Sequence, residues 1–489
     1  MTLNLINNFL SKILLSVLIT AQLVGFNQIS TEWQPIQRIP NFEDTARAPL
    51  LVPDQAKNIH VFNYEAINAS QNAIFYRKWN QDEGWTPPID IILTGLGGGA
   101  QTLQSAFLDQ NNDMHLLYYV GTDKSGSVYH TKAYITDVDN ASLWTSPVVI
   151  ANKADPLPFI TSVQQQNGRI LVFYGGQEIG NGLYLITSDD FGNTWSKPLA
   201  LSLVSIEDEW PAAIQATVDH FDQVHVAWSQ VSLAGVGETI FYGRLNEKQT
   251  AFEVDTIIAR REGDDYSANW PTMIDSGDQL ILIYMDDFPA TRWMRTSDDY
   301  GDTWSIPIRP FPEVGEYEYA ILNKDNDNHI HMILGNRTVE PEIHGMWYSR
   351  WVGNRWTALE PIVSGPVTSS FDPSAPQAVI AQGNLIFATW WNNVRRENLT
   401  GAWYSYKLLD SSQAEVVQYD KSNDAEISAI NLEVTATSTP ELNQSDSAAQ
   451  PQFSKTAGVY SPAAPVFYAM IPTAILLLLF FFIRNKKRQ

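Results

Sequence analysis

The sequence predicts an all-β chain built around a single β-propeller of four-stranded blades. Three observations predict it: a sevenfold repeat, a period near that of one blade, and a spare outer strand at the start. Second-strand copies read IHVFNY at 59–64, MHLLYY at 114–119, ILVFY at 170–174, VHVAW at 224–228, LILIY at 280–284, IHMIL at 330–334 and LIFATW at 385–390. Their starts lie 55, 56, 54, 56, 50 and 55 residues apart. Short strands repeating at such a period imply one sheet per repeat, because a single sheet cannot bury its own apolar face.

Each repeat can be taken element by element. Third strands follow as AIFYR from 73, SVYHT from 127, LYLIT from 183, TIFYGR from 239, RWMRT from 292, MWYSR from 346 and AWYSY from 402. Outer segments are expected from Trp33, Trp85, Trp144, Trp195, Phe252, Trp304 and Trp356, most of them resembling W-x-x-P. No outer segment follows the last third strand, and WQPIQRI at 33–39 precedes the first full repeat. The N-terminal strand is therefore expected to complete the last blade, which leaves no open sheet edge at the seam. The count favours seven blades, with six as the alternative.

Composition allows a large core, with 44% hydrophobic and 12% aromatic residues. There is no cysteine, so disulfides and thiolate metal sites are excluded. The net charge of −23 opposes nucleic acid, whose phosphates would be repelled. Residues 1–30 read as a signal peptide, with Lys12 before an apolar run from Ile13 to Phe26. Residues 31–408 are expected to form the propeller and 409–464 a flexible stalk, since few aromatics offset the ordering entropy there. Residues 465–483 are apolar enough for a transmembrane helix, and 484–489 form a basic tail. These readings place the protein at a cell membrane as a single-pass protein, the propeller outside and the C-terminus in the cytoplasm.

Two turns nearly coincide: Ser188, Asp190, Gly192, Thr194 and Trp195 in one, Ser297, Asp299, Gly301, Thr303 and Trp304 in the other. In S-x-D-x-G-x-T-W the carboxylate can accept from backbone N–H groups, glycine supplies positive φ, and tryptophan pins the loop. This pattern is the Asp box, and residues 31–408 resemble the sialidase (neuraminidase, BNR-repeat) superfamily. The resemblance implies that the boxes are structural, on the rim away from the active site. It also implies an arginine triad, an acid/base aspartate and a Tyr–Glu nucleophile pair. Arg38 in Arg38-Ile39-Pro40 matches the letters of the first arginine, but Arg47, directly before the first inner strand, has the better position. The other two arginines have no evident counterpart, and sialidases proper have six blades.

Loops leading into inner strands and loops from second to third strands share one propeller face, around the mouth of the channel. Here they are acidic and aromatic. Lead-in loops carry Glu207, Asp208, Glu209 and Trp210, then Asp264, Asp265, Tyr266 and Trp270, then Glu316, Tyr317, Glu318 and Tyr319, then Asp372. Second-to-third loops carry Asp286, Asp287, Asn336, Arg337, Trp390, Trp391, Arg395 and Arg396. Aromatic faces stack on pyranose rings, and paired carboxylates can cleave a glycosidic bond. Glu318, Glu209, Arg47 and Tyr319 are the candidate catalytic residues. Trp210, Trp270, Tyr317, Trp390, Asp265 and Arg395 are the candidate substrate contacts. The bland alternative makes these acids solvated and these tryptophans core.

His60, His115, His225 and His331 occupy one repeated strand position and read as blade packing, not a metal site. Asp325 and Asp327 resemble part of a calcium loop but lack its downstream glutamate, so a hairpin turn is expected. No metal or cofactor is implied. Two functions stay open: a surface glycosidase, or a non-catalytic propeller that binds a glycan or a surface protein.

Overall fold

The computed structural model describes residues 32–42, 49–68, 71–93, 100–122, 124–155, 159–206, 208–263, 267–286, 291–311, 320–339, 342–366, 368, 371–392 and 401–419. These residues form an all-β, propeller-like body of curled antiparallel sheets. Two short 3-10 turns, Ile135–Asp137 and Ala141–Leu143, are the only helical elements among them. The fourth repeat is a complete example: Glu209–Val218, Val224–Ser232, Gly237–Leu245 and Phe252–Arg260 pair in chain order. The second strands are buried along their length because both sheet faces are covered by neighbours, which explains their unbroken apolar runs.

Core clusters join each repeat to the next. One gathers Phe62, Ile74, Leu116 and Tyr118 from the first and second repeats. Another gathers Leu171, Phe173, Val226 and Trp228 from the third and fourth. A further cluster packs Ile59, Val61 and Trp79 of the first repeat against Phe387 and Tyr404 of the seventh. Each large apolar side chain buried there stabilises the body by about 1.5–3 kcal/mol. The inner strands touch in the same succession, and Leu50–Pro53 touches both Ala100–Leu108 and Pro373–Ala381. The N-terminal strand Gln37–Arg38 pairs antiparallel with Ala402–Leu408, Gln37 opposite Tyr404 and Arg38 opposite Trp403.

The fourth outer strand begins at Phe252 as expected and Trp85 already pairs with Trp79, but the main outer pairing of four repeats starts later than their tryptophans suggest. Ile89, Val148, Leu199 and Ile308 each follow a proline, at 88, 147, 198 and 307. Proline cannot donate to a ladder, so pairing begins one residue beyond it. In the fifth repeat the outer segment reduces to a bridge between Met294 and Ile308. The second and third repeats merge through pairing of Ala154 with Gly176.

Two expectations about the chain ends change. Residues 409–419, expected to begin the stalk, lie along the turns of three repeats. Leu409 N–H donates to Asn384 O at 2.7 Å, Ala414 N–H to Gln382 O at 2.8 Å and Val417 N–H to Gln55 O at 3.0 Å. The single-pass membrane placement is also corrected: among the described residues, no helix is long and apolar enough to cross a membrane. Residues 1–30, 420–464, 465–483 and 484–489 lie outside the described residues.

Candidate functional site

Antiparallel pairing sorts the loops onto two faces. First-to-second and third-to-outer turns share one face, here called the turn face. Lead-in loops and second-to-third loops share the other, the mouth face.

The turn face carries a repeated polar relay. His60 Nε2 lies 3.2 Å from Asp54 Oδ2 and Nδ1 lies 2.9 Å from Tyr76 Oη. His225 repeats this with Asp219 at 3.0 Å and Tyr242 at 2.8 Å. His331 repeats it with Asp325 at 2.9 Å and Tyr348 at 2.8 Å. In the second repeat His115 contacts Asp109 at 3.0 Å, and His130 replaces the tyrosine at 2.9 Å. A carboxylate only accepts, so each neutral ring donates from Nε2 and accepts at Nδ1 from Tyr O–H or His130 Nε2–H. The aspartate's other oxygen closes its own turn, as Asp219 Oδ1 does by accepting from Phe221 and Gln223 N–H groups at 2.9 and 2.8 Å. Burial works to raise the Asp54 and Asp219 carboxyls, but the bonds from histidine and turn amides prevail and hold both below the usual range. Burial also lowers His130 to about 3, helped by His115 and Lys132. The four repeated histidines are therefore structural, every one with both ring nitrogens engaged.

The two S-x-D-x-G-x-T-W turns lock these relays. Asp299 Oδ1 accepts from Thr303 N–H at 2.8 Å and from Ser297 O–H at 2.8 Å, while Oδ2 accepts from Thr303 O–H at 2.6 Å. Asp190 makes the same set with Thr194 and Ser188 at 2.8, 2.6 and 2.9 Å. Phe191 and Tyr300 share the positive φ with the glycines that follow them, at 56° and 53°. Trp195 meets His130 edge-on at 4.9 Å and Trp304 meets Tyr242 at 4.9 Å. Each turn thus fastens onto the relay of the preceding repeat. A Cβ on Gly301 would sit 1.7 Å from Tyr242 Oη, so only glycine fits there.

On the mouth face, three successive lead-in loops carry carboxyl and aromatic groups. In the third repeat, Asp155 is 3% exposed and its Oδ1 accepts from Gln177 Nε2 at 2.8 Å. Its Oδ2 is buried without a hydrogen-bond partner. Burial pushes this carboxyl up to about 6, with the Gln177 bond opposing. In the fourth repeat, Glu209 is half-buried; Gln230 Nε2 donates to its carboxylate and Asn181 Nδ2 donates to its backbone oxygen. Trp210 beside it is half-buried. In the fifth, Trp270 is half-buried and lies in a bulge between Asn269 and Thr272. Trp270 has φ 53° and Phe159 of the third repeat has φ 46°. Their rings meet edge to face at 5.9 Å, spanning the repeat between them. The same backbone recurs at Ala213 and Ala375, in the matching bulges of the fourth and seventh repeats, so it belongs to the blade.

Of the sequence-predicted contacts, Glu209, Trp210 and Trp270 stand on this face. Trp390 does not offer a ligand surface: it is 3% exposed and packs with Ile333, Met346 and Ala388 in the core. The strand Leu385–Asn392 is buried along nearly all its length, and the sixth repeat closes over the ring. Arg47, Asp265, Tyr317, Glu318, Tyr319 and Arg395 lie outside the described residues. Sequence reasoning missed Asp155 and Phe159. The signal was present, because Asp155 and Asp372 each stand directly before a proline in a lead-in loop, and Glu209 stands two residues before one.

No family model matches the sequence, and no curated protein matches it. Among solved structures, the fold is similar to a PL25 polysaccharide lyase, an ulvan lyase bound to -[GlcA(1-4)Rha3S]-. The TM-score is 0.51 at 11% identity, over 77% of this chain and 97% of that one. It is also similar to the polysaccharide lyase Uly1, with a TM-score of 0.50 at 9% identity over 79% of this chain and 94% of that one. The NanB sialidase from Streptococcus pneumoniae aligns over 80% of this chain and 72% of its own, at 12% identity. Its TM-score of 0.42 is too low to carry an argument. The class defined at these identities is a fold: an all-β, propeller-like body of the kind found in these polysaccharide lyases.

Proposed function

We propose that the chain is a seven-bladed propeller, closed at its seam by the N-terminal strand, that binds and acts on a glycan at the mouth face. The seven inter-repeat clusters and the pairing of Gln37–Arg38 with the last strand support the closure. The paired S-x-D-x-G-x-T-W turns support a sialidase-like origin for the blades. One observation carries the glycan reading: Phe159, in the loop that carries Asp155, and Trp270 meet edge to face on the mouth face, across the repeat that carries Glu209. An aromatic pair gives the apolar face of a pyranose a platform, and carboxylates accept its hydroxyl hydrogens. Glu209, positioned by Gln230, is the leading acid among the described residues; Asp155 adds a carboxyl that stays protonated to about pH 6. Glu318, Arg47 and Tyr319 remain candidate catalytic partners, and Tyr317, Asp265, Trp210 and Arg395 candidate contacts.

The test uses two probes, a -[GlcA(1-4)Rha3S]- oligosaccharide and a neutral cello-oligosaccharide, followed by tryptophan fluorescence and by chain cleavage. Trp270→Ala is expected to weaken binding about tenfold, the loss of one aromatic contact. Glu209→Gln is expected to slow any cleavage by about a hundredfold or more while leaving melting unchanged. Binding without cleavage would assign the mouth to recognition alone. Neither binding nor cleavage of either probe would overturn the glycan reading.

A further inference from the structure

The chain has eight histidines, and all eight lie among the described residues. Seven belong to the turn face. His60, His115, His225 and His331 have both nitrogens engaged, and His130 serves His115. His220 and His329 sit on turns, with side chains 41% and 39% exposed, each beside a turn aspartate.

His344 is the exception. It is the third residue of the strand Glu342–Arg350, at the mouth end. Its Nδ1 lies 2.7 Å from Oδ1 of Asp372, in the loop leading into the seventh repeat. Asp372 is itself held, its N–H donating to Asn392 Oδ1 at 2.7 Å. The two side chains are 11% and 18% exposed. In the neutral ring, the carboxylate requires the proton on Nδ1, which leaves Nε2 as a bare acceptor. Nε2 has no partner among the described residues. The ring also stands on a rigid support. A Cβ on the adjoining Gly345 would lie 2.6 Å from Val363 O, so this strand is pressed against its outer neighbour.

In the four repeated histidines both nitrogens are used, and the proton is on Nε2. His344 has the opposite tautomer, on the opposite face, with its acceptor unspent. Nε2 is not among the buried polar atoms that lack a partner, so this acceptor is open to water or to a ligand. We propose that His344 is a ligand-contacting base of the mouth, oriented by Asp372, whose Nε2 accepts the hydrogen of a saccharide hydroxyl. The inference rests on the glycan reading of the same face.

The test is nitrogen NMR on protein labelled only in histidine, in mildly alkaline buffer, with His344→Gln assigning the signals. Full-length protein is expected to show His344 protonated at Nδ1, and His60, His225 and His331 protonated at Nε2. Asp372→Asn, which removes the charge that fixes the proton, is expected to shift the His344 tautomer balance. Whichever of the two oligosaccharides binds should then move the His344 Nε2 resonance. His344→Gln should weaken that binding roughly two- to tenfold, the range of one hydrogen bond, with unchanged melting. An Nε2–H tautomer in the free protein would overturn the inference. So would an oligosaccharide that quenches tryptophan fluorescence in a Trp270-dependent manner yet leaves the His344 nitrogens unmoved; that result would leave the glycan reading standing. Failure of both oligosaccharides to bind would overturn both.

Discussion

Replacing Asp155 with asparagine should reveal a charge the fold is built to resist. The carboxyl is 3% exposed, has one partner in Gln177, and has nothing at Oδ2. Burial lifts it from 3.8 to about 6. At about 1.4 kcal/mol per pH unit, that rise amounts to roughly 3 kcal/mol of stability. The sign follows from proton uptake. Between 3.8 and about 6 the folded protein holds a proton that the unfolded chain has released. Stability is therefore fully present below 3.8 and is lost as pH rises through about 6. The sequence pI of about 4.6 makes precipitation a hazard near that pH, so the useful window starts higher. Roughly half the effect, about 1.5 kcal/mol, falls between about pH 5 and about pH 8. The substituted side chain would still accept from Gln177 but would bring an amide group into a space without acceptors, a pH-independent cost of about 1–3 kcal/mol. The assay is urea unfolding of wild type and Asp155→Asn across that window. The variant should gain about 1.5 kcal/mol on wild type from the acid to the alkaline end, whatever its offset. Parallel curves would refute the buried charge, because every other titrating group is common to both proteins.

Two further outcomes concern the turn face. His130 titrates near 3 when folded, so the unfolded chain takes its proton first and stability falls as pH drops below about 6.5. Between about pH 7 and about pH 5 wild type should lose about 2 kcal/mol more than His130→Gln, read from unfolding midpoints; equal losses would contradict the assignment. Asp299→Ala removes three accepted hydrogen bonds and should cost about 1–3 kcal/mol while leaving oligosaccharide binding untouched, as followed by thermal melting and fluorescence titration.

The scaffold was far more legible than the mouth, for a physical reason. Blade strands must bury both faces against neighbours, so IHVFNY or LILIY can only sit inside, and repetition makes the pattern unmistakable. The histidine position read as packing for the same reason, although its aspartate and tyrosine partners come from elements that the strand pattern does not connect. Turn prolines displaced the outer strands of four repeats in a way tryptophan spacing could not show. Mouth residues obey no period. Trp390 and Trp270 look alike in sequence, yet one is closed into the core by the sixth repeat and the other is turned out by a bulge. Phe159 and His344 were invisible because their value depends on partners far along the chain.

The segment 409–419 gives the protein a mechanical character. It runs beneath the sixth, seventh and first repeats, held by Ser411 to Asp325, Ser412 to Asp327, Ala414 to Gln382 and Val417 to Gln55. These fastenings lie in series along the chain. A pull from beyond residue 419 would meet the Tyr419 and Val417 contacts to Gln55 first, then Ala414, then the serine pair, before reaching the strand Ala402–Leu408. That strand is also the one gripped by Gln37–Arg38, so tension from either end arrives at the same seam. All of these fastenings are on the turn face or at the rim. The mouth lies on the other side of the body from the turn-face fastenings.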